Sequence, residues 1–169
     1  MRKTVLTFGL ISGAVASALM LAATPFVEAR ELGTADFIGY SSMVLVGLLI
    51  FFGVRSYRRN AGDGRLTFRQ GFLVGLGITL VSSAIYLLTF QVLYYGLRPG
   101  IHEVYAECMI ERAERAGATP EEIAERTEQA RRIVELYENP WTNVAITLIE
   151  PLPVGLVLTT LSAAVLRKR

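Results

Sequence analysis

The residue best placed to do chemistry is Glu150, which stands with Pro151 and Pro153 in the middle of an apolar run from Trp141 to Leu166. At 1.5 Å per residue it lies roughly 13 Å along a helix from Trp141, which is near mid-membrane if the run crosses a bilayer. An acid at that depth costs ~2.5–3.5 kcal/mol on insertion scales, so it marks a site by default. Pro151 and Pro153 lack the N–H groups that would bond the carbonyls of Thr147 and Ile149, and the helix is expected to kink there. A carboxyl group beside freed carbonyls can hold a proton or a cation, as in the broken helices of transporters. It can equally hydrogen-bond a polar group on another helix and tie the spans together. Equal depth places Tyr86 level with it, and Ser82, Ser83, Ser17 and Ser42 within about two turns.

Other chemistry is sparse. No nucleophile stands beside a base, no carboxylates are paired and no cofactor motif occurs, so no catalytic residue and no cofactor are expected. One cysteine, Cys108, and one histidine, His102, exclude an internal disulfide and a multi-histidine site, and no metal is expected. Gly62-Asp63-Gly64 lacks the lysine and hydroxyl of a phosphate loop and reads as a turn. Gly9, Gly13 and Ser17 form a small-xxx-small line, and Gly71 with Gly75 another. Either line can serve packing within the chain or a contact with a second copy or another membrane protein.

The elements that must position Glu150 follow from composition. Of 169 residues, 52% are hydrophobic, and these collect in four runs near the ~20 residues that a helix needs to cross a bilayer. The expected fold is all-α, a single membrane domain over residues 1–169. It is a four-span transmembrane helix bundle with spans at about 4–27, 37–54, 71–95 and 141–166. The first run also imitates a secretory signal ending at Val27-Glu28-Ala29. At 24 uncharged residues, however, it exceeds the ~7–15 of a signal core. The net charge of +2 is a small difference between basic connections and an acidic segment, and no nucleic-acid partner is expected.

Orientation is read from the basic residues. Arg55, Arg58, Arg59, Arg65 and Arg69 surround one acid between spans two and three, Arg2 and Lys3 precede span one, and Arg167, Lys168 and Arg169 follow span four. Four spans put all three clusters on one side, which the positive-inside rule makes cytoplasmic, with both termini. Phe37, Tyr40, Tyr94, Tyr95 and Trp141 then fall at the opposite interface. The arginines of the connection suit anionic lipid headgroups as well as orientation itself.

Residues 99–139 are too charged to cross a membrane and read as an extracytoplasmic helical hairpin. Ile101, Val104, Tyr105, Cys108 and Met109 recur at helical spacing in its first arm. In the second arm the same holds for Ile123, Thr127, Ala130, Val134 and Tyr137. Thr119, Pro120 and Glu122 predict a capping box at the start of the second arm. Glu111 with Arg115, Glu122 with Arg126 and Glu128 with Arg132 are spaced for ion pairs one turn apart.

Three stretches together resemble the bacterial membrane proteins grouped as domain of unknown function 4199. They are Gly39-Tyr40-Ser41-Ser42-Met43 leading into Ile50-Phe51-Phe52-Gly53-Val54-Arg55-Ser56-Tyr57-Arg58, then Gly64-Arg65-Leu66-Thr67-Phe68, and Glu150-Pro151-Leu152-Pro153-Val154-Gly155. The resemblance covers nearly the whole chain and implies four spans, a retained first span and a bacterial inner membrane, but no activity. Arg59 departs from it, since relatives often carry an acid after the Tyr-Arg pair. A non-enzymatic interaction or regulatory protein is the first functional expectation, a small proton- or ion-coupled carrier using Glu150 the second, and a membrane enzyme the third.

Overall fold

A computed structural model describes residues 1–61 and 64–167. All the regular structure among them is helical: α1 (Arg2–Glu28), α2 (Leu32–Ala61), α3 (Phe68–Val92) with a π turn at Leu93–Leu97, α4 (Ile101–Arg115), α5 (Pro120–Glu138), α6 (Pro140–Ile149) and α7 (Pro151–Leu166). Four helical stretches, Arg2–Glu28, Leu32–Asn60, Phe68–Leu97 and Pro140–Leu166, are long and apolar enough to cross a membrane. The expected turn at Gly62-Asp63 lies outside the described residues, as do Lys168 and Arg169 of the terminal basic cluster.

The long helices exceed their apolar runs, because a helix can continue into the interface wherever its polar side chains reach water. The connection expected over Glu28–Asp36 therefore shrinks to Ala29–Glu31, and Arg30 turns the chain with φ of 61°. That left-handed conformation is unfavourable for a side chain with a Cβ. It aims the Arg30 guanidinium at Glu107 (3.1 Å) and Glu111 of α4. Arg98 on Glu28 (2.8 Å) and Arg112 on Asp36 (3.0 Å) pin the same corner. Arg55, Arg58 and Arg59 belong to the last turns of α2, not to a loop. Arg58 donates to the carbonyl of Leu166 (3.3 Å), satisfying one of the orphan acceptors at the end of α7.

Thr67 starts α3 with a capping box closed by Gln70, and Thr119 starts α5 with one closed by Glu122. Glu111–Arg115 and Glu128–Arg132 pair as their spacing predicts. Glu122 is instead used by the cap, and Arg126 turns to Gln129 (3.0 Å).

α3 packs on α1, α2 and α7, and α2 packs on α1 and α7. Lipid leaves little hydrophobic drive between spans, so close backbone approach has to supply the attraction. Glycines do this work. A Cβ on Gly9 would come 2.6 Å from Val81, one on Gly13 2.7 Å from Ile85, and one on Gly75 2.8 Å from Thr159. Ser17 continues the first line as acceptor from Thr89 (2.9 Å), while Gly71 faces Ala163. Both small-residue lines are thus spent inside the chain. An apolar cluster of Ile50, Val54, Leu66, Val74, Ile78 and Leu166 fills the end near the arginine-rich connection. Leu10, Val44, Leu88, Val157 and Val165 point outward, as lipid-facing side chains should.

Candidate functional site

The helical hydrogen bonding of the fourth apolar stretch is interrupted where the prolines stand, although Glu150 keeps right-handed helical angles of φ −54° and ψ −49°. α6 ends at Ile149, α7 begins at Pro151, and Glu150 occupies the joint with its own N–H bonded to the carbonyl of Ile146 (2.8 Å). Because α6 packs on α3 but shares no more than a marginal contact with α2, the spans part beside the break. A cavity of about 270 Å³ opens there. Every spanning stretch contributes to its wall: Ala16 and Met20 from α1, Ser42 and Val46 from α2, Ser83 and Tyr86 from α3, Glu150 and Pro151 from the break.

Most of the expected polar group is brought together at this cavity. Glu150, Pro151, Tyr86, Ser82, Ser83 and Ser42 line it; Pro153 is exposed and does not, and Ser17 is taken by Thr89. Two lining hydroxyls are already used, since Ser82 donates to the carbonyl of Thr79 (2.9 Å) and Thr79 to that of Gly75 (3.0 Å). Among the described residues, no hydrogen bond joins the side chains of Glu150, Tyr86, Ser42 or Ser83 to the rest of the chain. The expectation that Glu150 ties the fourth span to a hydroxyl on another is therefore not met. The parting of α2 from α6 leaves its carboxyl facing open space.

The tie lies one layer further along, in groups that charge-based reading passes over. Asn143 is fully buried; its Oδ1 accepts from Gln91 of α3 (3.0 Å) and its Nδ2 donates to the carbonyl of Tyr137 (3.0 Å). Asn139 caps α6 by accepting from the N–H of Trp141 (3.0 Å), and Thr142 donates back to the carbonyl of Leu136. These bonds fasten α5, α6 and α3 together. The available signal was two amide side chains placed at similar depth within apolar runs.

His102 sits in an aromatic nest at the same junction. Its ring stacks on Tyr137 (3.8 Å between centroids) and lies 5.6 Å from Phe90 and 5.3 Å from Tyr94. Its Nε2 is buried without a partner. Burial pushes the imidazole down to about 4, with Glu103 opposing in part. Burial also raises the phenols of Tyr137 and Tyr105; the carboxyl of Glu150 raises both further, after Asp36 in the case of Tyr105. Glu150 is thus within electrostatic reach of the ends of α4 and α5. Cys108, six residues from His102, is buried elsewhere with its sulfur 4.0 Å from the carbonyl of Val27.

A folded value below the free imidazole's ~6.5 means that the folded chain holds fewer protons at His102 than the unfolded chain. Its stabilising contribution is complete above about pH 6.5 and is lost as pH falls toward about 4. His102→Phe, which keeps an aromatic ring in the stack, is expected to flatten the fall in melting temperature over that interval. An unchanged slope would show that the acid sensitivity comes from the carboxylate pairs instead.

Four apolar helical stretches around an acid-bearing cavity define an all-helical membrane protein. The chain belongs to the family described as Protein of unknown function (DUF4199), whose model matches residues 7–168. No curated protein and no solved structure matches it.

Proposed function

We propose that this chain is a non-enzymatic interaction or regulatory protein of the bacterial inner membrane that works by binding a small molecule in the cavity at Glu150. The observation that carries this reading is an unpaired carboxyl in a space walled by all four spans. A concave, mostly apolar site with a few free polar groups is the usual form of a binding pocket. The cavity wall offers hydroxyls and one acid but no histidine, lysine or cysteine, so it lacks a nucleophile with its base. In this reading the four spans form a bundle, α4 and α5 form an extracytoplasmic hairpin, and both termini are cytoplasmic, with the arginines of the 55–69 segment against anionic headgroups.

Orientation is testable in a Cys108→Ala background. Arg65→Cys is expected to resist an impermeant maleimide in intact cells and to react in inverted vesicles, and Glu128→Cys to do the reverse. Labelling of Arg65→Cys in intact cells would invert the topology.

The second reading, a proton- or ion-coupled carrier, draws support from the interrupted helical hydrogen bonding in the fourth span beside an unpaired acid. The two readings separate at Glu150→Gln, which keeps the shape but cannot ionise. Purified chain in liposomes with a trapped pH dye is expected to pass no protons down an imposed gradient. A flux that Glu150→Gln abolishes would put the carrier first.

A further inference from the structure

We infer that the cavity takes a small apolar monocation, an ammonium group on a body about the size of one aromatic ring, which enters sideways from the bilayer between α2 and α6. This rests on the cavity being a binding site, and it names what the site selects.

Charge sets the sign. Among the described residues, Glu150 supplies the only carboxyl on the cavity wall, no lysine, arginine or histidine lines it, and the phenol of Tyr86 is the one other titratable group there. No lysine or arginine falls within the apolar runs of any span. A carboxyl in that setting lacks a counter-charge, and a cation supplies one where the low dielectric makes the pairing strong. An ammonium brings three N–H donors. The carboxyl accepts one, and the hydroxyls of Tyr86, Ser42 and Ser83, free of bonds within the chain among the described residues, are available for the others. Ser83 is 3% exposed, so its hydroxyl has little besides the cavity to turn to.

Size sets the body. An apolar cavity of ~150 Å³ holds benzene, so about 270 Å³ accommodates one ring with a short alkylammonium arm. Leu19, Met20, Met43, Val46, Val154 and Leu158 supply the apolar wall.

The entry path follows from the packing. The apolar cluster of Ile50, Val54, Val74 and Ile78 closes the end near the arginine-rich connection. Between α2 and α6 the helices share no more than a marginal contact. Gly39 lines the cavity, and a Cβ built there meets nothing within 4 Å. Glu150 is exposed on the same wall of the cavity.

The test uses the purified full chain in nanodiscs, with 2-phenylethylammonium and its neutral counterpart 2-phenylethanol followed by equilibrium dialysis. The ammonium is expected to bind saturably, and the alcohol at least about tenfold more weakly, because losing one partner of a desolvated charge pair costs that much or more. Glu150→Gln is expected to weaken the ammonium by a similar factor. Gly39→Leu narrows the gap and is expected to slow uptake of the ammonium several-fold, read as the rate of approach to equilibrium, while leaving the melting temperature unchanged. Equal binding of ammonium and alcohol by the native chain overturns the cation and leaves an apolar site, a result that needs no variant to fold. Failure of both probes to saturate overturns the binding-site reading itself. An unchanged uptake rate in Gly39→Leu overturns the lateral entry.

Discussion

Asn143→Leu is expected to lower the unfolding free energy of the chain by about 1–3 kcal/mol, through two polar groups left without partners. Asn143 is buried completely and serves Gln91 on α3 and the carbonyl of Tyr137 on α5 at once, both at 3.0 Å. Leucine has the volume and the lipid solubility but neither hydrogen bond. The Gln91 amide and the Tyr137 carbonyl would then have to find water or go unpaired. Unfolding in mixed micelles, read as the denaturing-detergent fraction at the midpoint, measures the loss. A double variant with Gln91→Leu removes one orphan and is expected to cost less than the sum of the single changes. Strict additivity would show that the two amides do not act as a pair.

Gly155→Ala should be nearly as damaging, for a reason that is steric. The Cβ would overlap Cγ2 of Thr79 across the contact of α7 with α3, and the Thr79 hydroxyl is held by the carbonyl of Gly75 (3.0 Å) and by Thr159 (3.3 Å). Thr79 cannot swing away without dropping those bonds, so the helices must separate. Overpacking of this kind costs about 1–3 kcal/mol. Thr79→Ser deletes the offending methyl and keeps the hydroxyl, so it is expected to recover most of the loss when combined with Gly155→Ala. No recovery in the same micelle titration would place the strain elsewhere than at Thr79.

The spans were legible because they follow from one strong constraint: a chain in lipid must satisfy its backbone internally, which a long apolar helix does. The break at Glu150 was legible too, since a proline's missing donor is a local fact that tertiary context cannot restore. Helix ends were less so. Whether α2 stops at Val54 or runs on to Ala61 depends on where Arg58 finds a carbonyl, and that carbonyl belongs to Leu166, more than a hundred residues away. The use of the small-residue lines was open for the same reason: Gly9 looks alike whether Val81 or a second chain lies against it. Helical depth brought Tyr86, Ser83 and Ser42 to the level of Glu150. Depth carries no information on rotation about the axis, and so Pro153 and Ser17 fell on other faces. The pairing of Gln91 with Asn143 escaped because neutral amides leave little mark in a search guided by charge.

The dry cluster formed by Ile50, Val54, Val74, Ile78 and Leu166 has an electrical consequence. Closely packed hydrocarbon behaves as the insulating gap of a capacitor, and a transmembrane voltage falls steeply across it. The cavity lies on the far side of that cluster from the arginine-rich connection, so part of a transmembrane voltage falls between the two. A cation held at Glu150 would then feel only the remaining part of that voltage.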